Sequence, residues 1–252
     1  MEITKKVLSI MNLLAQRPTG VTEISKQLGI GKSTVSRTLS ALENEQWVAQ
    51  DINTKKYKVS FKMIQLSLSI LSRIDLRNIS LPYMNELRRL TGETVILNIR
   101  VDLERVCIEQ IQSLQAVRGA VELGQIMPLW AGATGKAILA YLEPNEIETV
   151  LDRMVKSGVH VLPSGKTVDA DKIREALPAI RHQGFAVASE EFAIGAASVA
   201  VPIFGREDSV AGAISIIGPL LRFTPEVALG HGTLAIQMAN KISLELGSSR
   251  KY

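Results

Sequence analysis

Residues 21–42, VTEISKQLGIGKSTVSRTLSAL, limit the possible fold more than any other part of this chain. Ile24 and Leu28 recur at i, i+4, which predicts a short helix whose start is capped by the hydroxyl of Thr22. Gly29 follows where a helix end needs a positive φ. A second helical pattern repeats apolar residues at i, i+4 and i+7, namely Val35, Leu39 and Leu42. Two short helices joined by a glycine-containing turn are typical of a helix-turn-helix.

The opposite face of the second predicted helix has the side chains needed to enter the major groove of double-stranded DNA. It consists of small hydroxyl residues and one cation, Arg37, which suit contacts to base edges. We expect the DNA-contacting residues of the motif to be Thr22, Lys32, Ser33, Thr34, Ser36, Arg37 and Ser40. An ordinary helical hairpin is the alternative that this segment alone leaves open.

The flanking residues favour the DNA-binding interpretation. Upstream, residues 7–14 keep the spacing of an amphipathic helix that ends before Pro18. Downstream, the mostly polar residues 51–54 separate two short extended runs, which is typical of a β-hairpin and, after three helices, of a winged helix. Lys55 and Lys56 fall at or just past the tip of this hairpin, where we expect them to contact phosphate.

The charge distribution supports the same interpretation. Residues 1–60 hold nine Lys or Arg and five Asp or Glu, whereas the whole chain holds 29 and 25. The entire excess of positive charge therefore lies in the first quarter of the sequence. This asymmetry is the expected electrostatic pattern of a DNA-binding domain attached to a neutral one.

Length and composition restrict the remaining classes. A chain of 252 residues with 46% hydrophobic residues can form two domains with a core in each. The single cysteine, Cys107, cannot form an internal disulfide, which fits a reduced, cytoplasmic setting. The apolar stretch 210–221 is about half the roughly 20 residues that a membrane helix needs, and Gly218 and Pro219 interrupt it. We therefore expect no membrane partner.

The sequence lacks the motifs of a nucleotide-binding or metal-dependent enzyme. Residues 31–33 match the end of a phosphate-binding loop, but Lys26 stands where its first glycine belongs. The second Gly-Lys pair, residues 135–136, fails the same comparison at Trp130. Three histidines lie far apart and share no short motif with the cysteine or a carboxylate cluster: His160, His182 and His231. We predict no catalytic residue, no cofactor and no metal.

Glu190 and Glu191 are the remaining candidates for paired carboxylates. They follow a predicted strand, where adjacent side chains point to opposite faces. They are therefore interpreted as a solvated strand end or a subunit contact rather than a catalytic dyad. An enzyme fused to a DNA-binding module stays the weaker alternative.

Residues 61–80 predict a connecting helix, because they lack glycine and proline and carry apolar residues on two neighbouring stripes. So broad an apolar face needs cover from the wing or from a second subunit, and we expect a symmetric oligomer. Pro82 predicts a boundary, followed by a helix over residues 83–90. The predicted domains are a winged helix over residues 1–62, the connecting helix over residues 63–80, and a further domain over residues 81–252.

The remainder of the chain mixes strands with helices. Alternation at period two predicts strands over residues 93–101 and 106–111, joined by a hairpin link at 102–105. Further strands are predicted over 185–189, 197–204 and 210–217, and helices over 134–142, 144–154, 171–183 and 224–246, the last capped by Thr224. Hairpins mixed with helices indicate an α+β domain.

The chain resembles the IclR-type bacterial transcriptional regulators over essentially its full length. Besides the helix-turn-helix, the resemblance rests on four segments: ATGKAILA (133–140), GFAVASEE (184–191), VAVPIF (199–204) and AISIIGP (213–219). It implies a winged helix-turn-helix, a connecting helix and a C-terminal GAF-like effector-binding domain. It also implies homodimers, commonly paired into tetramers, on a pseudo-palindromic operator. The implied function is that of a regulator, more a repressor than an activator, controlled by a small organic acid or aromatic effector.

The resemblance also implies an effector pocket in the C-terminal domain. Its positions on this chain are the backbone N–H groups of Ala133 and Thr134 and the residues Ala188, Ser198, Ser215 and Ile217. N–H groups at a helix start suit an oxyanion. The four side chains offer only two hydroxyls, and an unpaired buried polar group costs about 1 to 3 kcal/mol. We therefore expect pyruvate and glyoxylate to bind poorly and a bulkier, more apolar acid to bind better.

Two alternatives remain open for this pocket. The two serines are alternatively explained as satisfying local backbone in a packed sheet. The protein as a whole is alternatively explained as a DNA-binding scaffold that pairs subunits and has a vestigial pocket.

Overall fold

The chain folds as two units, residues 1–73 and residues 74–252, in a computed structural model that describes residues 3–71, 75–158, 161–162, 165 and 167–250. The division between the two units falls inside the predicted connecting helix. His160 and residues 72–74 of that helix lie outside the described residues.

The first unit consists of three helices, a β-hairpin and a fourth helix. Its elements are α1 (Ile3–Gln16), α2 (Val21–Leu28), α3 (Lys32–Asn44), β1 (Val48–Gln50), β2 (Tyr57–Val59) and α4 (Phe61–Leu71). The apolar positions of the three helices meet the hairpin in one core, formed by Ile10, Leu14, Ile24, Ile30, Val35, Leu39, Val48 and Tyr57. The strands β1 and β2 pair antiparallel. This arrangement confirms the winged helix and excludes a simple helical hairpin.

The turn between α2 and α3 has the predicted glycine geometry, but the start of α2 differs from the prediction. Gly29 ends α2 with φ 64°, as its position requires. The predicted cap by Thr22 is wrong, because α2 begins at Val21 after Gly20 and has no side-chain cap. Thr19 exchanges two backbone hydrogen bonds with Tyr57 of β2, of 2.9 and 3.0 Å. This pairing holds the chain extended up to Gly20, so the helix begins directly after it.

The second unit is built on a six-stranded antiparallel sheet with strand order β5-β4-β3-β8-β7-β6. Its strands are β3 (Thr94–Val101), β4 (Glu104–Ile111), β5 (Ile126–Pro128), β6 (Ala186–Ser189), β7 (Ala196–Phe204) and β8 (Val210–Pro219). Its helices are α5 (Asp75–Thr91), α6 (Gly132–Leu139), α7 (Pro144–Ser157), α8 (Ala170–Gln183) and α9 (Pro225–Glu245). The prediction of an α+β domain is confirmed.

Helices pack against the sheet so that its strand β7 is buried along almost its whole length. Buried residues of α6, α7 and α8 form one core with Ala186 of β6 and Ala200 of β7. Val199 and Val201 point to the opposite face because side chains alternate along a strand, and both are fully buried. This agrees with the contacts that α9 makes with β7 and with α5.

The predicted boundary at Pro82 is wrong, because α5 runs through it without interruption from Asp75 to Thr91. A proline inside a helix removes one hydrogen bond and costs about 3 kcal/mol. Pro82 is exposed, whereas the opposite stripe of α5 is buried through Leu76, Ser80, Met84 and Leu87. Packing of this continuous stripe outweighs the local cost of the proline.

Helix α6 starts at Gly132, two residues before the predicted start, and lies very close to the chain that precedes it. A Cβ atom on Gly135 would stand 2.6 Å from the carbonyl oxygen of Leu129 and 2.9 Å from that of Pro128. Only glycine fits at this distance from backbone atoms. The Gly-Lys pair that partly matches a phosphate-binding loop is therefore explained by packing.

Gly135→Ala should lower the free energy of unfolding by about 1 to 3 kcal/mol, because the backbone carbonyls it would contact cannot move aside easily. The matched control is Gly230→Ala in α9, where an added Cβ meets nothing within 4 Å. That change should stabilise by about 0.5 to 1 kcal/mol, as expected for an exposed helical glycine. Urea unfolding of both variants measures the difference. Equal effects of the two substitutions would contradict the packing described for α6.

Candidate functional site

The exposed face of α3 is set by the residues that anchor its other face. Val35 and Leu39 are fully buried in the core of the first unit, so the positions between them point to solvent. The predicted DNA-contacting residues Lys32, Ser33, Ser36, Arg37 and Ser40 are exposed, and Thr34 is half-buried. Thr22 is exposed as the second residue of α2.

Arg37 stands out on this face because it is not engaged inside the unit. It forms no hydrogen bond or ion pair with any residue that the structure describes. By contrast, Arg17 of the same unit pairs with Glu23 at 2.7 Å. The guanidinium of Arg37 can therefore turn towards a ligand without giving up an internal contact.

The tip of the wing is organised by one carboxylate. Asp51 Oδ1 accepts hydrogen bonds from the backbone N–H groups of Asn53 and Thr54, at 3.1 and 2.8 Å, and from the Thr54 hydroxyl. These bonds, that from the Thr54 N–H foremost, lower the pKa of Asp51 below its ordinary value. The turn brings Lys55, with φ 58°, and Lys56 to the exposed tip. Both lysines thus occupy the position expected from the sequence.

The second unit contains a cavity of about 610 Å³. It lies between the sheet, the start of α6 and the chain segments around residues 117–121 and 191–197. All six positions predicted for an effector line it: Ala133, Thr134, Ala188, Ser198, Ser215 and Ile217. The antiparallel register explains why three of them meet, since Ser198 of β7 is paired with both Ala188 of β6 and Ile217 of β8.

The carboxylate of Glu191, which lines the cavity, binds residues at the start of α6. Its Oε2 accepts a hydrogen bond of 2.7 Å from the backbone N–H of Gly132, and its Oε1 pairs with the ammonium of Lys136. The two side chains are only 17% and 16% exposed. The interpretation of Glu191 as a solvated strand end is therefore wrong. The chain bends after β6, which turns this carboxylate inward to the positive end of a helix.

Arg105 is the functional candidate that the sequence interpretation missed. It lies in β4, not in the predicted hairpin link, and is 3% exposed. Its Nη1 donates to Asn98 Oδ1 at 3.2 Å and its Nη2 to the carbonyl oxygen of Ala131 at 3.3 Å. The guanidinium also lies 5.4 Å from the ring centre of Phe192. Alternation with the buried Cys107 two residues later is the signal that would have placed it inside.

Burial lowers the pKa of Arg105 to about 10, so the group stays a cation at neutral pH. Its Nε has no hydrogen-bond partner among the residues that the structure describes. Together with Asn98, which also lines the cavity and is 1% exposed, it supplies donors that the predicted pocket lacked. The expectation of a pocket with only two polar side chains is therefore wrong.

Two known protein-family domains together match most of the chain. Residues 4–51 match the IclR helix-turn-helix domain, and residues 68–244 match the bacterial transcriptional regulator IclR C-terminal domain. The chain belongs to the IclR family. It is a transcriptional regulator with an N-terminal DNA-binding domain.

Curated and solved relatives cover almost all of this IclR-family chain. It is 31% identical to the HTH-type transcriptional regulator KdgR of Escherichia coli over 96% of this chain and 91% of that protein. It is 31% identical to the HTH-type transcriptional repressor AllR of Klebsiella pneumoniae over 91% of this chain and 83% of that protein. The crystal structure of Thermotoga maritima IclR shares 28% identity and a TM-score of 0.78, covering 97% and 98% of the two chains.

Among the helices of the described ranges, none is long and apolar enough to cross a membrane. Within the same ranges, no three His, Cys, Asp or Glu side chains converge on a possible metal position.

Proposed function

We propose that this IclR-family regulator represses transcription in the bacterial cytoplasm and releases its operator when a small organic acid occupies the cavity of the second unit. The AllR relative is named a repressor, which supports the sign of regulation. The observation that supports an effector is the cavity itself. Its volume of about 610 Å³ lies within the usual 300 to 1,000 Å³ of small-molecule sites, and a buried cation, Arg105, lies in its wall.

The proposed DNA contacts divide into base recognition and phosphate binding. Arg37 reads a base edge from the middle of α3, with the neighbouring hydroxyls and Lys32 against the groove walls. Lys55 and Lys56 at the wing tip bind phosphate, which positions the module without reading sequence. Thr22 at the start of α2 is placed beside the DNA backbone.

Arg37→Ala should weaken binding to an operator selected from random-sequence DNA by about 1 to 3 kcal/mol more than binding to unselected DNA, because a bidentate arginine–guanine contact is lost. Changing Lys55 and Lys56 to Gln should weaken both complexes alike. The negative slope of log K against log salt should become smaller in magnitude, by up to about 0.9 per lysine. Fluorescence anisotropy measures both quantities. Arg153→Ala, at an exposed residue of α7, is the control. Equal loss on both DNAs in Arg37→Ala would rule out base recognition.

The proposed assembly is a symmetric dimer, with tetramers as its higher form, in which a second copy covers α4. Apolar side chains on this helix stay largely exposed within the first unit: Phe61 73%, Ile64 51%, Leu66 46%, Leu68 57% and Ile70 56%. So large an apolar face is unusual on a monomer. A two-fold axis would pair two copies of α3 with a pseudo-palindromic operator whose half-sites are spaced by about one helical turn or a multiple of it.

Ile64→Gln combined with Leu68→Gln should convert the dimer to monomers at micromolar concentration, because both residues lie one turn apart on the same stripe of α4. Sedimentation velocity measures the change. Ile52→Gln at the wing tip, where the side chain is 82% exposed, should leave the dimer intact. A wild-type protein that sediments as a monomer would disprove the proposed role of α4.

Benzoate, phenylacetate or isovalerate should raise the midpoint of thermal unfolding more than pyruvate at the same concentration. A ligand that binds only the folded protein stabilises it by RT ln(1 + [L]/Kd). The larger acids bury more apolar surface in the cavity, at about 25 cal/mol per Å². If no acid shifts the midpoint while operator binding is intact, the scaffold with a vestigial pocket is the better explanation.

A further inference from the structure

We propose that Arg105 is the residue that recognises the acid group of the effector, and that the effector is a monoanion with an aromatic or branched apolar body. This inference rests on the proposed function, since it assumes that the cavity takes an organic acid. It assigns the acid group to the sheet rather than to the start of α6.

The first support is the state of Arg105 in the cavity wall. Its side chain is almost completely buried, yet both recorded hydrogen bonds go to neutral acceptors, the Asn98 amide oxygen and the Ala131 carbonyl oxygen. Its Nε is buried without a partner among the described residues. A buried charge is normally compensated by an ion of opposite sign. A carboxylate in the cavity would supply that ion and could accept from the guanidinium N–H groups that Asn98 and Ala131 leave unused, since arginine carries five N–H donors.

The second support is that the competing anion position is already filled. The N–H of Gly132, the first of α6, donates to Glu191, and the same carboxylate pairs with Lys136. A ligand carboxylate next to Ala133 and Thr134 would approach the negative charge of Glu191. Like charges repel one another, so this position is less favourable for a second anion. The first N–H of α6 is thus already engaged by a carboxylate. Arg105 feels the charge of Glu191 but forms no direct ion pair with any residue that the structure describes.

The third support is the composition of the remaining walls. Ile96, Val117, Met127, Phe192, Ile194 and Ile217 line the cavity around the polar groups. A two- or three-carbon acid would reach Arg105 but leave the space beside these side chains empty. An aromatic ring or a branched chain fills the space beside them while its carboxylate meets the guanidinium.

The test compares acids with their neutral amides on the full-length protein. Calorimetry with benzoate and benzamide, phenylacetate and phenylacetamide, and isovalerate and isovaleramide should show at least one acid that binds wild type about tenfold or more tightly than its amide. Arg105→Met should abolish that preference, and Arg105→Lys should retain part of it as a point charge. Arg153→Met is the control and should keep the preference, because Arg153 is an exposed residue of α7 that does not line the cavity.

A loss of preference in Arg105→Met counts only if circular dichroism shows that the variant is folded. If it is not, the Nε–H resonance of Arg105 in wild type replaces it, and that resonance should shift with the acid and not with the amide. The inference is overturned if folded Arg105→Met keeps the preference for the acid, or if the Nε–H resonance does not shift when the acid is added. Either result leaves the proposed function unaffected. If none of the acids binds wild type, the proposed effector class fails together with this inference.

Discussion

The close approach of α6 to the chain beneath it determines the geometry of the second unit. Gly135 has no room for a side chain against the carbonyl groups of Pro128 and Leu129, and a Cβ on Gly132, at φ 72°, would lie 2.3 Å from the Phe192 ring. These two glycines let the start of the helix form one wall of the cavity. There its first N–H meets the carboxylate of Glu191. A methyl group at Gly135 would push the helix away from the backbone beneath it, and one at Gly132 would displace the Phe192 ring, which lines the cavity.

The charges around the cavity follow from that wall. Lys136 and Glu191 neutralise one another at the start of α6, and the hydrogen bonds of Arg105 on β4 to described residues go to neutral acceptors only. Because these three groups together carry one net positive charge, we propose that the cavity is matched to an anion. The first unit is similar, since Val35 and Leu39 bury one face of α3 and Arg37, on the other face, has no partner among the described residues. We propose that both units present an arginine to an anionic partner, Arg37 to DNA and Arg105 to an acid.

The sequence was sufficient for features governed by local periodicity and insufficient for those governed by tertiary contacts. The spacing of Val35 and Leu39 and the glycine at position 29 predicted the helix-turn-helix, because both rules act within a few residues. Pro82 misled the prediction, since burial of Met84 and Leu87 on the other side of α5 outweighs the proline. The resemblance located the cavity through six positions, but not Arg105 or Glu191. Their roles depend on a strand pairing and on a chain bend that bring together residues far apart in sequence.

If the effector regulates DNA binding, the binding free energies of the acid and of the operator must be coupled. If a bound acid weakens DNA binding, bound DNA must weaken acid binding by the same factor, typically about 5- to 150-fold. The most direct measurement is calorimetry of the full-length protein with its preferred acid, in the absence and in the presence of saturating selected operator. The proposed mechanism predicts a higher Kd for the acid when the operator is bound, with a ratio equal to the loss of operator affinity at saturating acid. The same Kd in both titrations would show that the cavity does not control DNA binding.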